Sequence, residues 1–249
     1  MPIFLKSKFF NNQIMTIFYS PSIELAPILS EEESLHCAKV LRLGVGEEVL
    51  IVDGKGGQYR ARIVAPHPKH TVVEITDKQT LETGRTGSIH IAIAPTKNMD
   101  RLEWFIEKAT EIGIDEITPV FCRFSERKNV NMERLEKILV SAMKQSQKAY
   151  LPKLNPACPV QQLLQQACES QRFIAHCYED KKQLLQHVYD KSQDSLVLIG
   201  PEGDFSKEEV ELALQKGFQP VSLGKSRLRT ETAGVVACHT LNLMATLEK

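Results

Sequence analysis

The 249-residue chain has no excess charge of either sign, because its 31 Lys and Arg residues balance its 31 Asp and Glu residues. This excludes a global basic field, so any nucleic-acid partner would have to be held by local basic patches. The chain also has no apolar run near the ~18 residues of a membrane span, and its N-terminus has no apolar signal core. We therefore expect a cytoplasmic protein with no membrane partner.

The six cysteines have no metal-site spacing. There is no C-x-x-C pair and no histidine at ligand spacing, so no bound metal is expected. Cys238 and His239 are neighbours in a predicted helix and point in different directions, which argues against a catalytic dyad. The cysteines are expected to be reduced, and most of them to be partly buried.

Two common nucleotide motifs are absent as well. Neither G-x-x-x-x-G-K-[ST] nor G-x-G-x-x-G after a strand occurs, which removes support for nucleoside triphosphates and dinucleotides as ligands. The chain instead has two successive units of strand, glycine turn and helix in its last 55 residues, 195–249.

The first unit starts with the apolar stretch SLVLI at 195–199, which is typical of a central parallel strand. Gly200 and Gly203 then allow a sharp turn. Ser206 and Glu209 have the spacing of a capping box, so a helix is predicted from the residue after Ser206.

The second unit repeats this plan with a strand at 221–223, Gly224 and a helix from about 232 to 247. Both turns would follow the carboxyl ends of parallel strands. At that edge, α/β proteins form pockets of the size of adenosine.

The first part of the chain, residues 15–82, has short stretches of alternating apolar and polar residues around a glycine-rich turn at 54–57. This pattern predicts a small β-barrel domain. One helix, near 31–41 with Ser30 as its N-cap, interrupts the strands.

The second part, residues 83–249, alternates strands with amphipathic helices, which predicts an α/β sheet of about five strands. One helix is predicted to begin at Asp100, in a D-x-x-E box with Glu103, and to end at Gly113.

A basic stretch lies between residues 122 and 154, where eight Lys and Arg residues outnumber three Glu residues. It includes Arg123, Arg127 and Lys128. The stretch is either a solvated helix face or a rim that contacts RNA phosphates.

Several motifs in one order resemble those of a known family. They are IGPEGDFS at 199–206, LGKSRLRTETA at 223–233, PTKNMDRLEW at 95–104, EKATEIG at 107–113, RFS at 123–125, HCAKVLRL at 36–43 and VDG at 52–54. Together they resemble the RsmE family of SPOUT methyltransferases, which methylates N3 of a uridine in 16S ribosomal RNA. The resemblance covers nearly the whole chain from residue 15 onward.

The resemblance implies an architecture and partners. It implies a PUA-like β-barrel RNA-binding domain at 15–82 and a SPOUT-type α/β domain with a C-terminal trefoil knot at 83–249. Residues 1–14 are then an extension or the product of an alternative start, with Met15 as the natural one. It further implies S-adenosylmethionine as cofactor, a homodimer, and 16S rRNA as substrate. The balanced charge of the chain favours rRNA within the assembled 30S subunit.

The resemblance also assigns residues to the site. The expected cofactor pocket comprises Leu198, Gly200, Pro201, Glu202, Gly203, Leu223, Gly224, Leu228 and Thr230. The expected catalytic residues are Arg229 and Glu231, and the expected RNA contacts are Arg42, Arg123, Arg127 and Lys128.

The chemistry leaves alternatives open for these residues. Glu231 could orient the donor, balance the sulfonium, accept the uracil proton, or simply stabilise the first turn of a helix. Arg229 could stabilise a uracil oxyanion or hold a phosphate. Arg123 could reach a substrate phosphate or form a surface ion pair. For Glu202 the alternative to cofactor binding is stabilisation of its turn. For Leu228 the alternative to a pocket wall is packing in the core.

Two positions depart from the family pattern. An Arg that usually stands near the first strand is missing from the stretch MTIFY at 15–19, which removes one expected RNA contact. Asp204 stands where a third glycine is usual, and Asp tolerates a left-handed backbone better than most residues.

Two rival functions are also compatible with the sequence. One is a SPOUT methyltransferase acting on another RNA base or on a ribose. The other is a non-catalytic PUA-type RNA-binding or ribosome-assembly factor.

Overall fold

The computed structural model describes residues 15–179 and 181–247. The expected extension at 1–14 lies outside the described residues. The chain divides into two compact units, Met1–Leu81 and Glu82–Lys249.

The first unit is built on a four-stranded sheet with the strand order β1-β2-β3-β4. The strands are β1 (Ile17–Tyr19), β2 (Glu48–Val52), β3 (Gly57–Ala65) and β4 (Val72–Thr80). The pair β1 and β2 is parallel and the other pairs are antiparallel. A bridge between Ile28 and Val72 adds one more antiparallel contact beside β4. Alternate residues of the strands, such as Ile51, Tyr59 and Ile63, form the core of this unit.

The predicted helix of the first unit is confirmed with a change of geometry. Helix α1 (Glu31–Leu35) is capped by Ser30, whose side chain accepts a hydrogen bond from the Glu33 N–H at 3.3 Å. The chain then continues as a π-helical turn at His36–Val40. It leaves that turn through Arg42, which has a left-handed backbone with φ of 56°.

The second unit contains one parallel sheet with the order β10-β12-β9-β11-β5-β6-β7, and β8 pairs with β6 beside this path. Its strands are β5 (Ile89–Ile93), β6 (Glu116–Phe121), β7 (Lys153–Leu154), β8 (Cys158–Pro159), β9 (Gln171–Ala175), β10 (Gln183–Leu184), β11 (Ser195–Ile199) and β12 (Gln219–Ser222). Five of them have four or more residues, as the sequence predicts. The central strands β5 and β11 are buried along their whole length, which explains why they are apolar throughout.

Helices cover both faces of this sheet. They are α2 (Met99–Ile112), α3 (Met132–Gln145), α4 (Val160–Gln166), α5 (Leu185–Val188), α6 (Lys207–Gln215) and α7 (Thr230–Thr246). Residues of α2, α3, α5 and α7 join one hydrophobic cluster, while residues of α4 and α6 join a second. The unit is therefore a three-layer α/β domain.

The ends of the helices follow local chemistry, with one correction. The Ser206 and Glu209 capping box is present in full. Helix α2, however, begins one residue before Asp100, because the Asn98 side chain accepts the Asp100 N–H at 3.1 Å. The prediction of an Asp100 cap was therefore wrong. Gly113 ends α2 with φ of 121°, as expected.

Helix α7 begins two residues earlier than the sequence pattern indicates, at Thr230. From β12 near one edge of the sheet, the chain returns so that α7 packs against α2 and β5. This approach is close, because a Cβ at Gly234 would lie 2.6 Å from the Phe105 ring. The C-terminal trefoil knot remains an implication of the family resemblance.

Candidate active site at the carboxyl edge of the sheet

The candidate site lies where β5 and β11 end side by side. Ile93 is the partner of Ile199 in the parallel register, so the loops after both strands leave the same edge of the sheet. From there β5 leads through α2 to β6, whereas β11 leads through α6 to β12 on the other side of β9. Such a change of direction is a topological switch point, and α/β proteins bind ligands in the crevice between the two loops there.

The turn after β11 relies on Asp204 in place of a glycine. Asp204 has φ of 65°, which confirms that Asp adopts the left-handed backbone here. Its carboxylate accepts hydrogen bonds from the Phe205 N–H and the Cys177 N–H, both at 2.8 Å. The bond from Cys177 joins the loop after β11 to the segment that follows the neighbouring strand β9.

Glu202 connects the two loops of the crevice. Its carboxylate accepts the Lys97 N–H at 2.9 Å, across the gap between the loop after β11 and the loop after β5. The observed contact is that of a turn stabiliser, which was the simpler of its two predicted roles.

Thr230 joins the two glycine turns. Its hydroxyl donates a hydrogen bond of 3.0 Å to the Gly200 carbonyl, and both residues are buried. Because Thr230 is the first residue of α7, this bond fixes the start of that helix relative to the turn after β11. The two motifs thus form one structural unit.

We expect Thr230→Val to lower stability by about 1–3 kcal/mol, because the buried Gly200 carbonyl loses its partner while the side-chain shape is kept. Cofactor affinity should fall with it, since the two turns lose their register. Thr232→Val, a half-buried position two residues away, is the matched control and should change neither quantity. Thermal unfolding and calorimetry with S-adenosylmethionine measure both. Equal behaviour of the two variants would contradict this role of Thr230.

The remaining expected pocket residues differ in their surroundings. Leu198 is buried in β11 with its side chain in the cluster beneath α4 and α6, and Leu223 packs against the cluster on the opposite face. Leu228 is half-buried and belongs to none of the hydrophobic clusters formed by the described residues, which favours a pocket wall over core packing. Pro201 is buried in its turn, while Gly203 is exposed.

Glu231 combines burial with an unused oxygen. Only 7% of the residue is exposed. One carboxylate oxygen lies 3.9 Å from Nε of Arg101, and the other is buried without a hydrogen-bond partner among the described residues. It stands in the first turn of α7, where the helix dipole favours a negative charge. Arg229, two residues earlier, is exposed, and its guanidinium makes no hydrogen bond or ion pair with the described residues.

These features fit a cationic, adenosine-containing cofactor. The buried carboxylate has an acceptor to spare, two glycine turns bring backbone groups to the crevice, and Leu228 supplies an apolar surface. Within the described ranges, no group of His, Cys, Asp and Glu side chains could hold a metal ion.

The predicted RNA contacts lie in separate places. Arg123 forms an exposed ion pair of 3.2 Å with Glu208, which is the surface role foreseen for it. Arg127 donates to the Lys97 carbonyl at 3.0 Å, and Lys128 to the Cys122 carbonyl at 3.3 Å. These three residues follow β6 at the carboxyl edge. Arg42 belongs to the first unit.

Sequence reasoning missed two residues of this region. Arg101 was quoted only as part of a motif, yet it is the cation nearest Glu231. Glu209 was assigned only to the capping box, yet its carboxylate also accepts the Arg123 N–H at 2.7 Å. Both contacts join residues more than 80 positions apart, so no local pattern could reveal them.

Cys238 and His239 do not form a second site. Cys238 is completely buried, and burial raises the pKa of its thiol to about 12, while His239 is exposed. The prediction that they point in different directions is confirmed.

No helix in the described part of the chain is long and apolar enough to cross a membrane.

Comparison with known proteins agrees with this geometry. Residues 84–242 match the family described as an RNA methyltransferase domain, and residues 29–76 match the RNA methyltransferase PUA domain. Ribosomal RNA small subunit methyltransferase E of Rickettsia conorii is 30% identical over 220 residues, which cover 87% of this chain and 89% of that protein.

Two solved structures are similar over most of the chain. A "probable rRNA-methyltransferase" from Porphyromonas gingivalis is 41% identical with a TM-score of 0.87, covering 93% of this chain and 98% of that one. Ribosomal RNA small subunit methyltransferase E from Neisseria gonorrhoeae, solved with S-adenosyl methionine bound, is 25% identical with a TM-score of 0.80, covering 90% and 96%. With a topological switch point at the carboxyl edge, two joined glycine turns and matches in both domains, this chain belongs to the RsmE family of RNA methyltransferases.

Proposed function

We propose that this protein uses S-adenosylmethionine to methylate N3 of a specific uridine in the 16S rRNA of the small ribosomal subunit. The observation that carries the proposal is the Thr230 to Gly200 hydrogen bond, which assembles two glycine turns beside the buried Glu231. Family membership and the cofactor-bound relative support the same reading. We place the PUA-like domain at 15–82 and the catalytic domain at 83–249.

The pocket residues have distinct tasks in this proposal. The bound cofactor supplies an electrophilic methyl group. Gly200, Gly203 and Gly224 would hold the cofactor through their backbone groups, and Leu198, Pro201 and Leu223 would shape the turns that carry those groups. Glu202 and Thr230 hold the loops in place, and Leu228 forms an apolar wall.

Uracil N3 is a poor nucleophile until its proton leaves. Glu231 has a carboxylate oxygen without a hydrogen-bond partner among the described residues and is therefore suited to accept that proton or to balance positive charge nearby. Arg229, exposed at the start of α7, is suited to stabilise negative charge on a uracil oxygen or to bind a phosphate. Arg101 is a positioning residue, because it acts through Glu231.

The basic rim, defined as Arg123, Arg127 and Lys128, is proposed to contact RNA phosphates, and Arg42 to do so from the PUA-like domain. Arg127→Gln and Lys128→Gln should each lower the slope of log K against log salt by roughly 0.7 to 0.9. Arg123→Gln should lower it less, because Glu208 already offsets part of that charge. Filter binding to 16S rRNA at several salt concentrations measures the slopes. Unchanged slopes in all three variants would show that the basic rim is a solvated surface that does not contact RNA phosphates.

A homodimer is proposed from the surface of α7. The helix carries one acidic residue, Glu231, and no Lys or Arg in Thr230–Thr246, yet only one of its faces packs into the core. Leu243 on its outer side is 47% exposed, and Trp104 on the neighbouring helix α2 is 43% exposed. Large apolar side chains exposed beside a helix without Lys or Arg are a candidate interface, and a second copy of the chain would cover them.

The direct test is mass spectrometry of 16S rRNA from a strain that lacks the protein. Loss of one N3-methyluridine, restored by the wild-type gene, is the expected result, whereas loss of another methylated base or of a ribose methyl group would replace the proposed substrate atom. In vitro, assembled 30S subunits from that strain should accept the methyl group better than naked 16S rRNA. Failure to bind S-adenosylmethionine in calorimetry would favour a non-catalytic RNA-binding factor.

A further inference from the structure

Phe124 is an exposed aromatic residue that the proposed chemistry leaves without a role. It follows β6 at the carboxyl edge, and 46% of it is exposed. The Cβ end of its side chain nevertheless lies against the loop after β11, because a Cβ built at Gly203 would come within 3.1 Å of the Phe124 Cβ. The absence of a side chain at Gly203 therefore allows Phe124 to lie against the loop after β11 while nearly half of the residue stays accessible.

Basic residues accompany this ring. The Arg123 guanidinium lies 5.8 Å from the ring centroid and forms an exposed ion pair with Glu208. Arg127 and Lys128 follow within four residues, and the exposed Lys97 carries the carbonyl that Arg127 contacts. Single-stranded RNA is bound by this combination, in which cations contact phosphates and an aromatic ring stacks on a base.

We infer that Phe124 is a stacking platform for a base of the single-stranded RNA segment that carries the target nucleotide. The inference rests on the proposed function. A base must leave its stack before its N3 can be methylated, and the bases beside it lose a stacking partner. The accessible Phe124 ring, next to the loops of the proposed cofactor pocket, replaces the lost stacking partner.

The test compares Phe124→Leu, which removes the ring but stays apolar, with Phe124→Tyr, which keeps the ring. Affinity is measured for 30S subunits from a strain that lacks the enzyme. Loss of one base–aromatic stack should weaken binding by about 5- to 100-fold in the Leu variant, whereas the Tyr variant should bind like wild type. Cofactor affinity and the unfolding temperature should stay unchanged in both, which shows that the fold and the pocket are intact.

A fluorescence measurement tests the stack itself. The chain has a single tryptophan, Trp104, so Trp104→Phe combined with Phe124→Trp places the only indole at the platform. A short oligouridylate should quench its emission, while the matching abasic ribose-phosphate chain should not. Quenching that is absent, or equal with both probes, overturns the inference.

The other outcomes are also decisive. Wild-type affinity in the Leu variant contradicts the stack, and so does a change of oligomeric state as the sole effect of that variant, since the ring would then contact a second copy of the chain. Failure of the proposed function looks different, because wild-type protein would then leave 16S rRNA unmethylated whether or not Phe124 binds a base.

Discussion

Glu231→Gln is expected to lower the rate of methyl transfer by about 100-fold or more while cofactor affinity stays near wild type. The variant keeps the shape of the side chain of a residue that is only 7% exposed, but it loses the charge beside Arg101 and the acceptor that none of the described residues uses. Single-turnover methylation of 30S subunits gives the rate, and calorimetry gives the cofactor affinity.

The pH dependence of that variant separates the roles of Glu231. If Glu231 accepts the N3 proton, raising the pH toward the pKa of uracil N3 should partly restore Glu231→Gln, since the substrate then loses its proton unaided. Arg229→Ala removes an exposed group at the start of α7 and should gain less from high pH. Normal turnover in both variants would limit residues 229–231 to building the cofactor pocket.

Gly200→Val is expected to destabilise the domain by about 1–3 kcal/mol in addition to its effect on the pocket. A Cβ at Gly200 would lie 2.9–3.2 Å from three carbon atoms of the Phe205 ring, which is completely buried in the cluster beneath α4 and α6. The ring cannot move without disturbing that cluster. Denaturant unfolding with circular dichroism measures the loss.

Gly224→Val is the matched comparison, because it should destabilise the domain for a different reason. A Cβ at Gly224 meets no atom within 4 Å, but its φ of 128° strains any other residue by about 1–3 kcal/mol. Phe205→Leu should therefore rescue part of the stability of Gly200→Val and none of that of Gly224→Val. Equal rescue of both would show that packing against Phe205 is not the cause.

Several features of the fold were predictable because they depend on neighbours in sequence. The Ser206 and Glu209 capping box, the end of α2 at Gly113 and the left-handed Asp204 are all local. The Asp100 cap failed for an equally local reason: Asn98, two residues earlier, accepts the Asp100 N–H and so places Asp100 inside the first turn of α2. The choice between two nearby caps depends on side-chain geometry that a motif does not contain.

The sequence by itself determined the order of the longer strands and helices, the two glycine turns and the family, because hydrophobic periodicity, turn residues and ordered motifs are all written along the chain. Only the tertiary structure decided which of those residues meet. The Thr230 to Gly200 bond, the Glu202 bridge to Lys97 and the Arg101 contact with Glu231 join residues that are 30 to 130 positions apart. The carboxyl ends of the parallel strands all lie at one edge of the sheet. That long-range arrangement, rather than any local preference, brings the candidate site together.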